Sequence, residues 1–418
     1  MLAIEILRKI NYILLILMAI CYAYQAVFAV VAVFVRKKKT NVKPLAHDFA
    51  FLICARNEEK VIADLINSIK KQTYDLGKID IFVLADNCTD DTDKIAEKNG
   101  AVVYCRENKE LIGKGYALQD LKKHIDEDFP DKYDGFFVFD ADNVLAPDYV
   151  EEMNKVISEG KDIVAGYRNT KNFGDNWVTA AYGIMFLRES QFLNYPRDVL
   201  GTSCFINGTG YYFSKKVAND LEDWPFHLLT EDAEFTIDRI TNDKKIYYCR
   251  EAEFFDEQPT KFCQSWYQRI RWCKGYWQVF AKYGRELIKG IFSGKFACYD
   301  MTMAIMPAFI LTTFSVFANL ALFIMSIITM AGTLGVILTA FGFISSLYLT
   351  TFVLGTVITL TEWKKINCPP IKKVLYMFTF PVFMLSFCPI AIQSLFCKVE
   401  WKHIEHTRSI DSLSNKDK

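Results

Sequence analysis

Apolar positions along this chain fall into three regimes. Residues 10–35, INYILLILMAICYAYQAVFAVVAVFV, are almost continuously apolar. At about 1.5 Å rise per residue, such a run crosses a hydrocarbon core of about 30 Å as one helix. A cleaved leader would carry an apolar core of only about 7–15 residues, ending in small residues. Here the run is longer and ends in Arg36-Lys37-Lys38-Lys39. These four basic residues outweigh Arg8 and Lys9, which puts the C-terminal end of the span on the cytoplasmic side.

Residues 46–260 show a different pattern. HDFAFLICA, KIDIFVLAD, AVVYCRE and GFFVFDAD are short apolar runs that predict strands. Between them, residues 60–72 place Val61, Ile62, Leu65, Ile66 and Ile69 at helical spacing, and Cys88 to Asn99 predicts a second helix. Strands alternating with helices indicate a mostly parallel sheet with right-handed crossovers. In such sheets ligands gather at the carboxyl ends of the strands, where Asn57, Asp86 and Asp140 fall. Residues 261–300 form an aromatic and basic amphipathic region.

The third regime begins near Met301. Met303 to Leu360 is almost uncharged and long enough for two spans, with Gly332 and Gly335 near the expected turn. Glu362-Trp363-Lys364-Lys365 then predicts a cytoplasmic return. The apolar piece Val374 to Phe396 contains Pro381 and Pro389, which predict a broken segment that lies in the interface or re-enters. This also keeps the basic tail, residues 398–418, on the cytoplasmic side. The expected division is thus 1–45, 46–260, 261–300, 301–397 and 398–418.

Composition narrows the picture. The 418 residues balance 49 basic against 49 acidic side chains, so no bulk charge argues for a nucleic-acid partner. The 12 cysteines include no C-x-x-C pair and are scattered, as in reduced thiols of a cytosolic domain.

Three constellations carry chemistry. Asp140-Ala141-Asp142 closes a predicted strand. Two carboxylates there can aim at one Mg²⁺ or Mn²⁺, hard cations that keep several waters and bind substrate phosphates. Such an ion would neutralise charge as a diphosphate departs. Taken alone, the same residues better suit a solvated junction of strand and turn. Thr230-Glu231-Asp232 opens a helix-like run in which Thr230 suits the N-cap and Glu231 the first turn. Asp232 suits a general base that takes a proton from an acceptor hydroxyl. Gln268, Arg271 and Trp272 share an aromatic-basic helix, where Arg271 can grip a diphosphate and Trp272 can floor a sugar. The same helix face also suits the headgroup layer of a membrane.

These motifs, in this order and flanked by apolar segments, resemble the processive family 2 glycosyltransferases, the group of the cellulose, hyaluronan and chitin synthases. The resemblance implies an α/β GT-A domain inserted between transmembrane helices, Mg²⁺ or Mn²⁺, and a UDP-sugar donor feeding a growing β-glycan. It further implies that Asn57, Glu58 and Asp86 line a uridine pocket, and that Lys114 approaches the diphosphate. Asp140 and Asp142 hold donor and metal, Asp232 with Glu231 and Thr230 is the base motif, and Gln268, Arg271 and Trp272 bind the donor and the end of the acceptor. Asn207, Gly208 and Thr209 occupy the acceptor region. Trp401, His406, Thr407 and Arg408 have the chemistry of a gating loop over the nucleotide, or of a lipid-binding tail. The chain departs from bacterial cellulose synthase in having no cyclic-dinucleotide-binding barrel and one preceding span, so a channel would need an accessory subunit or a second copy.

The expected function is an inverting, processive transferase of the plasma membrane with its catalytic domain in the cytoplasm. It makes a β-glucan, cellulose-like or mixed-linkage, from UDP-glucose. Hyaluronan- or chitin-type synthesis and non-processive transfer to a lipid-linked acceptor are the alternatives. A transporter is disfavoured by the lack of ionisable residues in Met303–Leu360.

Overall fold

A computed structural model describes residues 2–36, 42–221, 223–328, 333–399 and 406. The expected strands are present: β1 (Phe49–Ala55), β2 (Ile79–Asp86), β3 (Val102–Arg106) and β4 (Gly135–Asp140). Four further strands complete the sheet: β5 (Val144–Leu145), β6 (Ile163–Thr170), β7 (Tyr211–Ser214) and β8 (Tyr247–Asp256). Their order is β3-β2-β1-β4-β7-β6-β8-β5. β7 pairs antiparallel with both β4 and β6, while β6 and β8 are parallel. The carboxyl ends of β1, β2, β4, β6 and β8 therefore point the same way.

Strand β1, and β4 as far as Phe139, carry no polar side chain because both faces are covered. In β1, Phe49, Phe51, Ile53 and Ala55 join one core, and Ala50 and Leu52 join the other. β4 divides alike, with Phe137 and Phe139 on one side and Phe136 and Val138 on the other. Phe51 stacks between Phe137 and Phe139, with ring centroids 4.9 and 5.6 Å away. Each of these fully buried phenylalanines contributes about 1.5–3 kcal/mol. This ladder fixes the strand ends that carry Asp86 and Asp140.

The N-terminal apolar run is two helices, Leu2–Tyr22 and Tyr24–Phe34, bent by 41°. They are tied to the rest through a buried hub. Arg197 donates to both oxygens of Asp300, at 2.7 and 2.9 Å, and the Tyr24 hydroxyl donates to the same carboxylate at 2.8 Å. Such a buried pair is held by its complete set of partners.

Toward the C-terminus, helix Phe262–Phe292 carries the aromatic-basic motif, and Phe296–Ile305 and Pro307–Ile328 follow. Gly332 lies outside the described residues, and Gly335 lies inside helix Thr333–Thr361 rather than at a turn. Glu362 and Lys365 dock on the sheet: Glu362 accepts from the Tyr167 hydroxyl at 2.7 Å, and Asn169 donates to the Lys365 carbonyl at 3.0 Å. The last apolar piece is interrupted at Ser386, three residues before Pro389. Helices Pro370–Leu385 and Phe387–Phe396 form one apolar length, Pro370–Phe396, long enough to cross a membrane. Pro389 sits in the first turn of the second helix, where a missing N–H leaves no helical bond unmade. Ile344–Thr361 also qualifies, so by length and composition two helices among the described residues can span, or three if the bent N-terminal pair is one span.

Candidate active site

The carboxyl ends of β1, β2, β4, β6 and β8 open into one cavity of about 600 Å³. Its wall includes Glu58, Asp86, Lys114, Asp140, Asp142, Asn207, Gly208, Thr230, Glu231, Asp232, Gln268, Arg271, Trp272 and His406. The three constellations, distant in sequence, thus share a single space.

Lys114, first residue of helix Lys114–Asp128, reaches across it. Its Nζ is ion-paired with Asp140, donates to the Gly208 carbonyl at 2.7 Å and lies 3.9 Å from Glu231. Burial works against the charged amine, but Asp140 and Glu231 outweigh it and hold the Lys114 pKa above its ordinary value. Glu231 is pushed up to about 7, chiefly by burial and then by Asp232. Burial also raises Asp232, opposed by backbone N–H donation at the start of helix Glu231–Thr241.

Thr230 takes the N-cap position, yet its side chain makes no capping bond. It is pressed instead against helix Phe262–Phe292. A β-carbon on Gly275 would lie 2.5 Å from the Thr230 Oγ1 and Cγ2. Only glycine lets the two motif-bearing helices approach this closely. On the same helix, Trp272 packs edge-on to Tyr182 and Phe186, with centroids 5.8 and 6.2 Å away.

Asp142 is buried; its Oδ2 accepts the Glu257 N–H at 2.9 Å and its Oδ1 the Asn143 amide at 3.1 Å. Burial would raise its pKa, but His406, Lys171 and the Glu257 N–H lower it on balance. Lys114 engages only Oδ1 of Asp140. Among the described residues no group of three or more His, Cys, Asp or Glu side chains is arranged around a cation. Two carboxylates on the wall nevertheless fit Mg²⁺ or Mn²⁺, since such ions need one or two from the protein and take phosphate oxygens and waters besides.

Some expected residues serve elsewhere. Asn57 does not line the cavity; its Oδ1 accepts the Thr89 N–H at 2.7 Å and joins two loops. Thr209 is buried behind the strand end, accepting from the Asp140 N–H at 2.9 Å and donating to Asn143 at 2.6 Å. Asp86 lines the cavity, but its Oδ1 already takes Arg106 at 2.7 Å and Asn87 at 2.8 Å. Trp401, Thr407 and Arg408 lie outside the described residues.

Other lining residues were not foreseen. Arg168 on β6 and Asp256 at the end of β8 form an ion pair on the wall. Tyr22, Gln25, Met303, Leu354, Met384 and Phe387 extend the wall into the apolar helices. The run YYCREAEFFD, which alternates in part and ends in an acid, carried the strand signal for Asp256.

Comparisons with known proteins agree with this geometry. The chain is 25% identical over 272 residues to a beta-monoglucosyldiacylglycerol synthase of Nostoc sp., covering 63% of this chain and 56% of that protein. It is 24% identical over 249 residues to a probable glucomannan 4-beta-mannosyltransferase of Arabidopsis thaliana, covering 56% of this chain and 45% of that protein. It therefore spans about half the length of these relatives. Among solved structures, a mannosyltransferase from Pyrobaculum calidifontis, in complex with GDP-Man and Mn²⁺, superimposes with a TM-score of 0.58 at 15% identity, covering 93% of this chain and 99% of that one. The likeness shows a GT-A-like fold. The model of glycosyltransferase like family 2 matches residues 46–275, more than half of the 418, and the chain belongs to that family.

Proposed function

We propose that this protein transfers a hexose from a nucleotide-diphosphate sugar, with inversion, to an acceptor hydroxyl at a membrane surface. The observation that carries the reading is the single cavity shared by Asp140, Asp142, Asp232, Arg271 and Trp272 and prolonged among the apolar helices. Asp232 takes the proton of the attacking hydroxyl. Lys114 and Arg271 stabilise the departing diphosphate, and Trp272 offers a ring face to the sugars. A divalent cation held by Asp140 and Asp142 would supply further neutralisation of the leaving group. Burial of the wall keeps water from competing with the acceptor.

The donor in this reading is UDP-glucose, and the product is a β-linked glucan extended by repeated transfer. The Gln268, Arg271 and Trp272 motif beside the base supports repeated transfer. Leu354, Met384, Cys388 and Ala391 on the wall favour a second reading, transfer to a lipid acceptor; a lipid is also the acceptor in the name of the Nostoc relative.

Full-length protein in detergent, given radiolabelled UDP-glucose and Mn²⁺, tests both. Label in a high-molecular-weight, β-glucanase-sensitive product supports the polymer. Label confined to a chloroform-soluble product replaces it with the lipid acceptor. Release of nucleotide only from a GDP-sugar would overturn the donor.

A further inference from the structure

Asp256 lies at the carboxyl end of β8, buried at 2% exposure. Its Oδ2 is fully engaged: the Nε of Arg168 donates to it at 2.9 Å, the Arg168 Nη2 also donates, and Gln258 Nε2 donates at 2.6 Å. Its Oδ1 is buried and has no hydrogen-bond partner among the described residues, although the side chain lines the cavity. A buried carboxylate oxygen left without a donor is unfavourable and calls for a partner that the protein does not supply.

The surroundings say what kind. The next residue, Glu257, gives its N–H to Asp142, so Asp256 stands beside the carboxylate pair. Arg168 continues in the other direction. Its Nη1 donates to the Asn207 carbonyl at 2.7 Å, and its guanidinium lies 3.5 Å from the Phe186 ring centroid. A β-carbon on Gly208 would be 3.9 Å from the Asp232 Oδ2 and 4.0 Å from the Arg168 Nη1. Asp256 and Arg168 thus bridge the interval between the metal-fitting pair and the base. In the proposed reaction that interval holds sugar. Arg168 already neutralises the Asp256 charge, so the remaining oxygen suits a neutral hydroxyl donor better than a second cation.

We propose that the Asp256 Oδ1 accepts a hydrogen bond from a pyranose hydroxyl at the transfer site, with Arg168 as the positioning residue that fixes the carboxylate. The assignment rests on the transferase reading above. The shared chemistry is a sugar hydroxyl, belonging either to the hexose being transferred or to the one receiving it.

Asp256→Asn in the full chain tests it with UDP-glucose and Mn²⁺. The amide oxygen can stay with Arg168 while an NH₂ replaces the accepting oxygen. If the hydroxyl belongs to the donor hexose, KM for UDP-glucose rises about ten-fold or more while the Kd for UDP stays at the wild-type value. If it belongs to the acceptor, the ratio of UDP released to glucose incorporated rises above the wild-type ratio, because water replaces a misplaced acceptor. Either shift supports the assignment. Wild-type KM and wild-type coupling in D256N overturn it, and so does an equal weakening of UDP itself. Should D256N fail to fold, Arg168→Met with Asp256→Asn removes the unpaired guanidinium as well, and the same readings apply to that double variant. A wild-type protein that releases no UDP from UDP-glucose fails at the functional reading; a coupled wild type with an unchanged variant fails only here.

Discussion

The Nδ1 of His406 lies 3.0 Å from both carboxylate oxygens of Glu58, joining the C-terminal tail to the loop after β1. Burial pushes Glu58 up to about 7, opposed by the hydrogen bond from His406. Burial would lower His406, but Asp142 and Glu58 more than offset it and raise it to about 9. The histidine gains a proton-dependent stabilisation that is fully present below its unfolded pKa of about 6.5 and is lost as pH climbs through about 9. Glu58 ionises as pH rises through about 7, so both groups are charged only between about 7 and 9. Because the pair is on the cavity wall, UDP affinity measured by calorimetry is expected to fall above pH 9. His406→Gln should lack that high-pH arm and bind UDP more weakly at pH 8. Superimposable wild-type and variant profiles would remove His406 from the donor site.

Asp232 and Glu231 make a pH prediction of opposite sense. Asp232 must be ionised to accept a proton, and burial raises its pKa. Transfer should therefore increase with pH along an acid limb lying above the ordinary aspartate value. Glu231→Gln should leave that limb in place, because Glu231, pushed up to about 7 by burial and by Asp232, is still neutral where Asp232 loses its proton. Asp232→Asn should lower transfer by about 100- to 10,000-fold while leaving UDP binding intact. A D232N protein that transfers normally would cost Asp232 its role.

Much of this was legible along the chain because it is local. β1 to β4, the Asp140 pair and the position of Asp232 at a helix start follow from apolar runs ending in polar residues. The failures have physical causes. Asn57 and Thr209 have side chains short enough to satisfy neighbouring backbone, and they turn to Thr89 and Asp140. Thr230 gives up its cap to the approach of Gly275. Arg168 and Asp256 meet only because β6 pairs in parallel with β8, with Thr170 opposite Asp256, a register that no local pattern encodes. Pro381 suggested a break, but helix Pro370–Leu385 runs through it. At the helix's C-terminal end, Arg269 donates to the Phe383 carbonyl at 3.2 Å and to Ser386 Oγ at 2.6 Å.

Lys114 offers a test in which two affinities move apart. Its ammonium is paired with Asp140, the carboxylate that fits a divalent cation. Lys114→Met removes a positive charge from that oxygen, so Mn²⁺ binding to the free protein, read by electron paramagnetic resonance, should tighten. The same substitution removes a cation from the proposed diphosphate site, so UDP binding should weaken by about ten-fold. If both affinities fall together, Lys114 acts only by holding the fold.

The tight approach of Gly275 to Thr230 gives the last prediction. Gly275 lies on the helix of Gln268, Arg271 and Trp272, and the atoms that face it belong to Thr230, immediately before Glu231 and Asp232. A methyl group placed 2.5 Å from Thr230 cannot be accommodated without movement. The Thr230 Cβ, at 2.9 Å, is in the way as well as Oγ1 and Cγ2, so a change of rotamer does not relieve the clash and one helix must shift along the other. Gly275→Ala is therefore expected to displace Asp232 relative to Arg271 and Trp272. Misplacement on the order of 1 Å costs about 100-fold in rate when geometry sets the barrier. Asp86 and Lys114, on the proposed donor wall, are on other elements, while Arg271 moves with its helix, so UDP affinity should fall far less than the rate. The expected signature is a large fall in kcat with a smaller rise in the Kd for UDP and a modest loss of thermal stability. Thr230→Ser removes the Cγ2 that crowds the new methyl and should restore part of the lost rate in the double variant. A G275A protein with wild-type kcat would mean that the spacing of these two helices is not what positions the base.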